Sequence, residues 1–228
     1  MARVATVARK TGETDITVTV NLDGRGTCDI STGVGFFDHM LTALGRHSLM
    51  DLSVHATGDT WVDDHHTVED VGITLGQAIA EALGDKRGIR RFADVAVPLD
   101  EALVLAAVDI SGRGELYWDV PIGPAKVGTF NTELGKEFFV GFARQAGITL
   151  HLRELCGENA HHILEAAFMP APARCAWHLR MIRASMTFLR RRGACNGRER
   201  YCRRRLPQGK PALRGAQRRG GRRARAGL

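Results

Sequence analysis

A five-residue pattern occurs twice in this chain of 228 residues. The copies are His65-His66-Thr67-Val68-Glu69 and His161-His162-Ile163-Leu164-Glu165. Each follows a polar, turn-like stretch and precedes an apolar run with helical spacing, so we expect both histidine pairs in the first turn of a helix. The repetition of residue type, spacing and local context predicts that the chain duplicates one structural unit.

The spacing within each copy is typical of a metal site. On a helix, His65 and Glu69 lie one turn apart and share a face. Adjacent histidines point about 100° apart, so one regular helix does not easily present both to the same ion. The economical interpretation is two metal ions, with each H-H-x-x-E segment contributing to both. Imidazole with carboxylate suits manganese, iron, cobalt or zinc better than magnesium or calcium.

The order of predicted elements supports duplication. Strand-like alternation fills the first 30 residues, a helix is expected from Gly35 to near Gly45, and a strand from Asp51 to Ala56 precedes the first H-H-x-x-E helix. Strands recur near 95–97, 102–109 and 115–120, followed again by a helix, a strand, a polar loop and the second H-H-x-x-E helix.

We therefore predict an α+β fold made by tandem duplication of a half-domain. Each half has a mixed or antiparallel four-stranded sheet packed against two helices. The expected boundaries are 1–94 for the first half-repeat and 95–168 for the second.

The repeat also suggests further ligands. His39 lies on the helix before the first motif, ahead of His65. Its counterpart ahead of His161 is Glu137, and His151 on the intervening strand is a competing candidate.

Composition limits the class of protein. No apolar run reaches the length of a membrane span and no leader resembles a signal peptide, so we expect a soluble, cytoplasmic protein. The five cysteines form no C-x-x-C pair and are odd in number, which argues against a zinc knuckle or a disulfide framework. Residues 169–228 contain 18 of the 32 Lys and Arg and one of the 25 acidic residues, so the tail carries +17 and residues 1–168 carry −10.

Five segments carry a family resemblance. In chain order they are Phe37-Asp38-His39-Met40, Asp63-Asp64-His65-His66-Thr67-Val68-Glu69-Asp70, Pro98-Leu99-Asp100-Glu101-Ala102, Asp109-Ile110-Ser111-Gly112-Arg113 and Glu158-Asn159-Ala160-His161-His162-Ile163-Leu164-Glu165. Together they resemble the imidazoleglycerol-phosphate dehydratase family of histidine biosynthesis, over about residues 3–168. The paired H-H-x-x-E motifs are the most specific part of this resemblance.

The resemblance implies a lyase that dehydrates imidazole glycerol phosphate to imidazole acetol phosphate, on a ribosomal-protein-S5-domain-2-like form of the duplicated fold. It implies two Mn²⁺ ions per active site and a homo-oligomer of 24 subunits whose sites form between subunits. The implied metal ligands are His39, His65, His66, Glu69, Glu137, His161, His162 and Glu165. Glu137 stands where many relatives have histidine.

Three more residues match positions that contact the substrate in the family. Glu13, in Thr11-Gly12-Glu13-Thr14, matches a substrate-contacting glutamate and is the candidate proton-transfer group. It joins His39, His65, Glu69, His161 and Glu165 as a candidate catalytic residue. Arg91 and Arg113 match the phosphate-side arginines, and a planar guanidinium suits bidentate contact with phosphate.

The resemblance stops after Phe168. Family members continue with a helix, a D-P-R turn and a phosphate-binding S-T-K-G segment, and a one-base change of reading frame allows the codons from Pro170 to about Gly193 to encode all three in order. We interpret residues 169–228 as an aberrant basic tail, frameshifted or disordered, and resequencing the Met169 codon is the direct test.

Two other functions fit some of these features. A dinuclear metallohydrolase would also use paired His and Glu residues, and it would cleave a phosphoester. A nucleic-acid-binding protein would act through the basic tail. The acidic body and the few aromatic residues in the tail argue against nucleic acid as a partner.

Overall fold

Two four-stranded sheets with the same strand order form the framework of the protein. The structure, a computed structural model, describes residues 3–123 and 125–169. The basic tail after Met169, and with it the frameshift hypothesis, lies outside the described residues.

The first half of the chain contains one sheet and two helices. Its elements are β1 Val4–Lys10, β2 Thr14–Asn21, β3 Cys28–Ser31, α1 Gly35–Ser48, β4 Asp51–Gly58 and α2 His65–Leu83. The strands lie in the order β1-β2-β4-β3. β1 with β2 and β2 with β4 pair antiparallel, whereas β3 with β4 pairs parallel.

The second half repeats this arrangement. Its elements are β5 Phe92–Leu99, β6 Ala102–Asp109, β7 Glu115–Asp119, β8 Lys126–Val127, β9 Phe130–Asn131, α3 Leu134–Ala146, β10 Thr149–Cys156 and α4 Ala160–Phe168. The sheet order β5-β6-β10-β7 has the same two antiparallel pairs and one parallel pair. The added β8–β9 hairpin is the only element among the described residues without a counterpart in the first half. The predicted duplicated α+β fold is confirmed.

Strand alternation decides which face of each sheet meets the helices. In β2, Ile16, Val18 and Val20 are fully buried, while Thr17 and Thr19 point to the other face. β6 shows the same pattern, with Val104 and Ala106 buried. Helices cover the apolar face of each sheet, and α2 and α3 lie against each other between the two sheets.

One helix is longer than its sequence predicts. The predicted end of α1 near Gly45 is wrong. The helix continues to Ser48, and the next residue, Leu49, caps it in the left-handed conformation (φ 57°). Gly45 serves packing here: a Cβ at this position would lie 2.5 Å from the Cys28 sulfur. In the sequence, a glycine that lets another element pack closely against a helix cannot be told from a glycine that ends the helix.

Glycines bring α2 and α3 into close contact. A Cβ on Gly76 would lie 2.6 Å from the carbonyl oxygen of Phe142, and one on Gly72 would collide with the carbonyl oxygen of Phe138. Gly72 and Gly76 are four residues apart on α2, and their contacts Phe138 and Phe142 are four residues apart on α3 in the same order. The two helices therefore run in the same direction. Phe138 is fully buried beside this contact, at the centre of the core.

Among the residues that the structure describes, no helix is both long and apolar enough to cross a membrane.

The α2–α3 contact predicts a specific sensitivity to added volume. Gly76→Ala should destabilise the fold by about 1–3 kcal/mol, because the methyl group has no space and the helices must separate. Gly35→Ala is the matched control, since nothing lies within 4 Å of its Cβ position and its φ is not positive. Urea unfolding of both variants measures the difference. Equal midpoints would contradict the close-packing argument.

Candidate active site

Both H-H-x-x-E segments begin a helix, as their flanking residues predict. In α2, the Asp63 carboxylate accepts a hydrogen bond from the His65 backbone N–H at 2.8 Å. In α4, the N-cap residue Asn159 accepts from the His161 backbone N–H at 2.9 Å. These bonds satisfy backbone donors that a helix start leaves free, and so they fix where each helix begins.

Three candidate ligands from α1 and α4 come together. His39 Nε2 lies 3.3 Å from Glu165 Oε1, and His161 Nε2 lies 3.2 Å from Glu165 Oε2. One ligand atom from each of the three residues lies within 4.8 Å of the other two. We call this group the α1–α4 cluster. The edge of the Phe36 ring packs on His161 at 5.1 Å between centroids and forms an apolar wall beside it.

The first motif forms a second group on α2, which we call the α2 cluster: His65, His66 and Glu69. His65 Nε2 lies 3.7 Å from Glu69 Oε2, one helical turn away. The rings of His65 and His66 are nearly perpendicular, at 89°. In α4 the rings of His161 and His162 meet at 76°. Each histidine pair therefore points in two directions, as the helical geometry requires.

The second histidine of each motif contacts a carboxylate through Nδ1. His66 Nδ1 lies 3.0 Å from Asp59 Oδ2, and His162 Nδ1 lies 2.8 Å from Glu101 Oε2. The hydrogen bond to Asp59 raises the pKa of His66, and the bond to Glu101 raises the pKa of His162. In return, His162 and the Asn159 backbone N–H lower the pKa of Glu101 to about 2.

Glu13 lies near the α2 cluster in the tight turn between β1 and β2. The Thr11 hydroxyl accepts hydrogen bonds from the backbone N–H groups of Glu13 and Thr14, at 3.2 and 3.0 Å. Thr14 in turn donates to the buried Asp70 of α2 at 2.6 Å. The Glu13 side chain is exposed, and its negative charge contributes to the raised pKa of His66.

Glu137 and His151 occupy different surroundings. Glu137 lies in the first turn of α3. A Cβ on Gly141, one turn further along α3, would lie 3.1 Å from the Glu69 carbonyl oxygen, so this face of α3 runs alongside the first turns of α2. His151 stacks on Tyr117 at 4.4 Å, on the face of the second sheet opposite the helices. The geometry thus favours Glu137 over His151 as the neighbour of the α2 cluster.

The two arginines meet at one carboxylate. Arg91 Nε and Nη2 donate to the two oxygens of Asp109 at 2.6 and 3.1 Å, and Arg113 Nη2 donates to the same residue at 3.2 Å. The Arg91 guanidinium lowers the pKa of Asp109. Both arginine side chains are half-exposed or more, so they retain N–H groups for an anion.

Asp59 and Glu101 are functional candidates that the sequence pattern does not predict. Glu101 had a signal in the sequence, because it directly precedes β6 as Glu13 directly precedes β2. Asp59 had none beyond following a strand. Only the fold brings Glu101 and His162 together, across 61 positions of the chain.

The duplicated α+β fold and the clustered His and Glu side chains define the class: a two-repeat protein with a candidate metal site at the starts of its H-H-x-x-E helices. Residues 32–175 match the family model described as imidazoleglycerol-phosphate dehydratase. Similar proteins of that name include those of Jannaschia sp., 60% identical over 73% of this chain and 85% of the relative, and Dinoroseobacter shibae, 61% identical with the same coverage.

Solved structures give the same result. The Staphylococcus aureus imidazoleglycerol-phosphate dehydratase has a TM-score of 0.68 at 37% identity, over 76% of this chain and 96% of that one. The Pyrococcus furiosus enzyme, solved in complex with (S)-C348, has a TM-score of 0.66 at 42% identity, over 75% and 92%.

The chain belongs to the imidazoleglycerol-phosphate dehydratase family. It is therefore a lyase of histidine biosynthesis that dehydrates imidazole glycerol phosphate, as its motifs predict. Family membership favours this activity over the metallohydrolase and the nucleic-acid-binding alternatives.

The Glu101–His162 pair predicts a measurable titration. In the metal-free protein, NMR of the labelled histidines should give His162 a pKa above the ordinary value of 6.5. Glu101→Gln removes the anionic acceptor and should return that pKa toward 6.5, while the raised pKa of His66 stays in place because Asp59 is intact. An unchanged His162 titration in this variant would contradict the assigned contact.

The Glu101–His162 pair also makes a pH-dependent contribution to the stability of the fold. The raised pKa of His162 contributes stability below about pH 6.5, and this contribution is lost as pH rises through the folded-state value. The lowered pKa of Glu101 contributes above about pH 4.5, and that contribution is lost as pH falls toward about 2.

Proposed function

We propose that this chain catalyses dehydration with two Mn²⁺ ions held by the clustered His and Glu residues. The observation that carries the proposal is the α1–α4 cluster. His39 Nε2, His161 Nε2 and a Glu165 oxygen lie within 4.8 Å of one another, which suits atoms that share an ion at bonds of about 2.0–2.2 Å. The proposed full ligand set is His39, His65, His66, Glu69, Glu137, His161, His162 and Glu165.

The donor chemistry supports this assignment. Imidazole nitrogen with carboxylate oxygen fits a borderline divalent ion. Engagement of Nδ1 of His66 by Asp59 and of His162 by Glu101 leaves Nε2 of each ring as the coordinating atom. When bound, the ions would supply positive charge that holds the imidazole ring of the substrate and favours loss of hydroxide.

The product determines which bonds break. Hydroxide leaves the carbon bonded to the ring, a proton leaves the next carbon, and the resulting enol becomes a ketone. Glu13 is our candidate for moving that proton, because its charge acts on His66 of the α2 cluster and its carboxylate belongs to no ligand group. Its anchored turn, held by Thr11 and by the Thr14–Asp70 bond, fixes the backbone that carries it.

Arg91 and Arg113 are our candidates for holding the phosphate. Asp109 holds the two guanidinium groups side by side, and their remaining N–H groups suit the oxygens of a phosphate dianion.

The arginines and the His162 region of one chain are too far apart to serve one substrate. Asp109 ends β6, and Glu101, which contacts His162, precedes its start. The strand between them spans about 23 Å at roughly 3.3 Å per residue. The three-carbon chain joining ring and phosphate in the substrate is under about 10 Å long with bonds of about 1.5 Å.

The α2 cluster is also remote from the arginines of its own chain. Gly112, next to Arg113, donates its N–H to Gly147 at the C-terminal end of α3. Glu137 and the α2 cluster lie at the N-terminal ends of α3 and α2. Glu137 near the start of α3 and Gly147 at its end are about 15 Å apart at roughly 1.5 Å per residue.

We infer that the arginines of an active site come from a different subunit than the metal ligands that complete it. The exposure of the ligands supports this, since side chains of His39, His65 and His66 are 43–50% exposed and leave room for a partner surface. We propose the 24-subunit homo-oligomer that the resemblance implies, in the cytoplasm. The half-repeat boundaries at 94/95 and the aberrant tail stay predictions.

Metal removal tests the proposal directly. Treatment with EDTA followed by desalting should abolish dehydration of imidazole glycerol phosphate, and Mn²⁺ should restore it at two ions per chain. Glu165→Gln should lower Mn²⁺ occupancy, because Glu165 bridges His39 and His161. Full activity in the metal-depleted protein would contradict the proposal.

Mixing two inactive variants tests the shared site. Arg91→Ala/Arg113→Ala lacks the phosphate-binding arginines, and His161→Ala lacks a metal ligand. Each alone should lose at least 100-fold in kcat/KM. Reassembled together after dissociation, they should recover activity, because some sites then combine intact surfaces from both. No recovery in mixed assemblies, verified by co-purification of one untagged variant with the other carrying an affinity tag, would place all groups of a site in one subunit.

A further inference from the structure

The second histidine of each motif is held in the same way by a carboxylate from a different place in the repeat. Asp59 follows β4 and contacts Nδ1 of His66, whereas Glu101 precedes β6 and contacts Nδ1 of His162. A carboxylate on one ring nitrogen fixes the proton there and aims the other nitrogen at its ligand.

The repeat shows that these carboxylates are not equivalent. β2 and β6 occupy the same place in their sheets, and Glu13 and Glu101 each directly precede that strand. Glu13 and Glu101 are therefore counterparts. Likewise, Gly58 and Gly157 are counterparts, because a Cβ on Gly58 would collide with the Thr67 side chain and one on Gly157 with the Ile163 side chain, which hold the same place in the two motifs. The counterpart of Asp59 is therefore Glu158.

Glu158 contributes through its backbone, since its N–H donates to Glu101 Oε1 at 3.3 Å. The loop between strand and helix is also shorter here, with three residues (157–159) against six (59–64) in the first half. The second half holds its histidine from the position before β6. The first half has Asp59 for this contact, with a side chain only 12% exposed beside His66.

We propose that Asp59 and Glu101 are positioning residues that aim Nε2 of His66 and of His162 at the metal ions, and that Asp59 frees Glu13 for a different task. This inference rests on the proposed metal-dependent mechanism. The counterparts Glu13 and Glu101 thus have different roles: Glu101 holds a ligand, and Glu13 moves a proton.

Their surroundings fit these roles. Glu101 is fixed at both oxygens, since Oε1 accepts from the backbone N–H groups of Glu158 and Asn159 at 3.3 and 2.8 Å while Oε2 meets His162. A positioning group has to be immobile in this way. Glu13 is exposed and is held through its backbone by Thr11, so its carboxylate keeps the freedom to meet a substrate.

The experiment compares four variants of the full chain. Glu101→Gln and Asp59→Asn replace a carboxylate, which only accepts, by a neutral amide that can either accept from Nδ1 or donate to it. The preference for a proton on Nδ1, which leaves Nε2 free to coordinate, is therefore weakened. Glu13→Gln removes the proton-transfer group. Asp51→Asn is the matched control, because Asp51 also accepts two backbone N–H bonds, from Arg25 and Thr27, and contacts no histidine.

Two readouts separate the roles: Mn²⁺ affinity by EPR titration and steady-state kinetics with Mn²⁺ in excess. Glu101→Gln and Asp59→Asn should each weaken Mn²⁺ binding by about 10–100-fold. Glu13→Gln should keep Mn²⁺ affinity within about twofold and lose about 10²–10⁴-fold in kcat. Asp51→Asn should change neither by more than about twofold.

Each other outcome has a defined meaning. A parent chain that binds no Mn²⁺ would refute the proposed function itself. Normal Mn²⁺ binding by the parent, with Glu101→Gln and Asp59→Asn behaving like the control, would overturn the positioning role. Glu13→Gln weakening Mn²⁺ as much as Glu101→Gln would overturn the difference in roles. Loss of folding in both Glu101→Gln and Asp59→Asn, followed by melting temperature, would assign these carboxylates to stability and also overturn the inference.

Discussion

The backbone contact between α2 and α3 determines how the two halves meet. Gly72 and Gly76 allow carbonyl oxygens of α3 to approach the α2 backbone directly, without side chains between them. A contact of this kind tolerates little sliding or rotation, because the packed atoms belong to rigid helices. It therefore fixes the ends of both helices, and with them the place of the α2 cluster relative to Glu137.

Much of this fold could be predicted from local pattern. The strand predicted at 102–109 is β6 as observed, since its apolar residues alternate regularly and turn residues flank it. The pattern could not give the β8–β9 hairpin, whose strands have two residues each and show no periodicity. It also could not show that Gly45 serves packing with Cys28, because that contact joins separate elements.

The candidate site divides in the same way. Residues within one helical turn, such as His161 and Glu165, follow from spacing alone. His39 joins them only because α1 packs against α4. The repeat suggested His39 as a ligand, but it did not show which motif His39 would lie beside. Asp59 could not be predicted because a single aspartate near a turn is typical of any surface, and the sequence position of Glu101 does not show which histidine it contacts. Their meaning comes from the partner that the fold places opposite them.

Asp109 gives the two arginines a property that neither has alone. Two adjacent guanidinium groups repel each other and attract any passing anion. With a carboxylate between them the group has a net charge of about +1, and both side chains are ordered before a ligand arrives. A free anion then gains less from this surface than it would from two bare arginines. In the proposed site the substrate would also bind through its imidazole ring, and that second contact would offset the weaker attraction of its phosphate. If Arg91 and Arg113 hold the phosphate as proposed, Asp109 would favour the whole substrate over free inorganic phosphate.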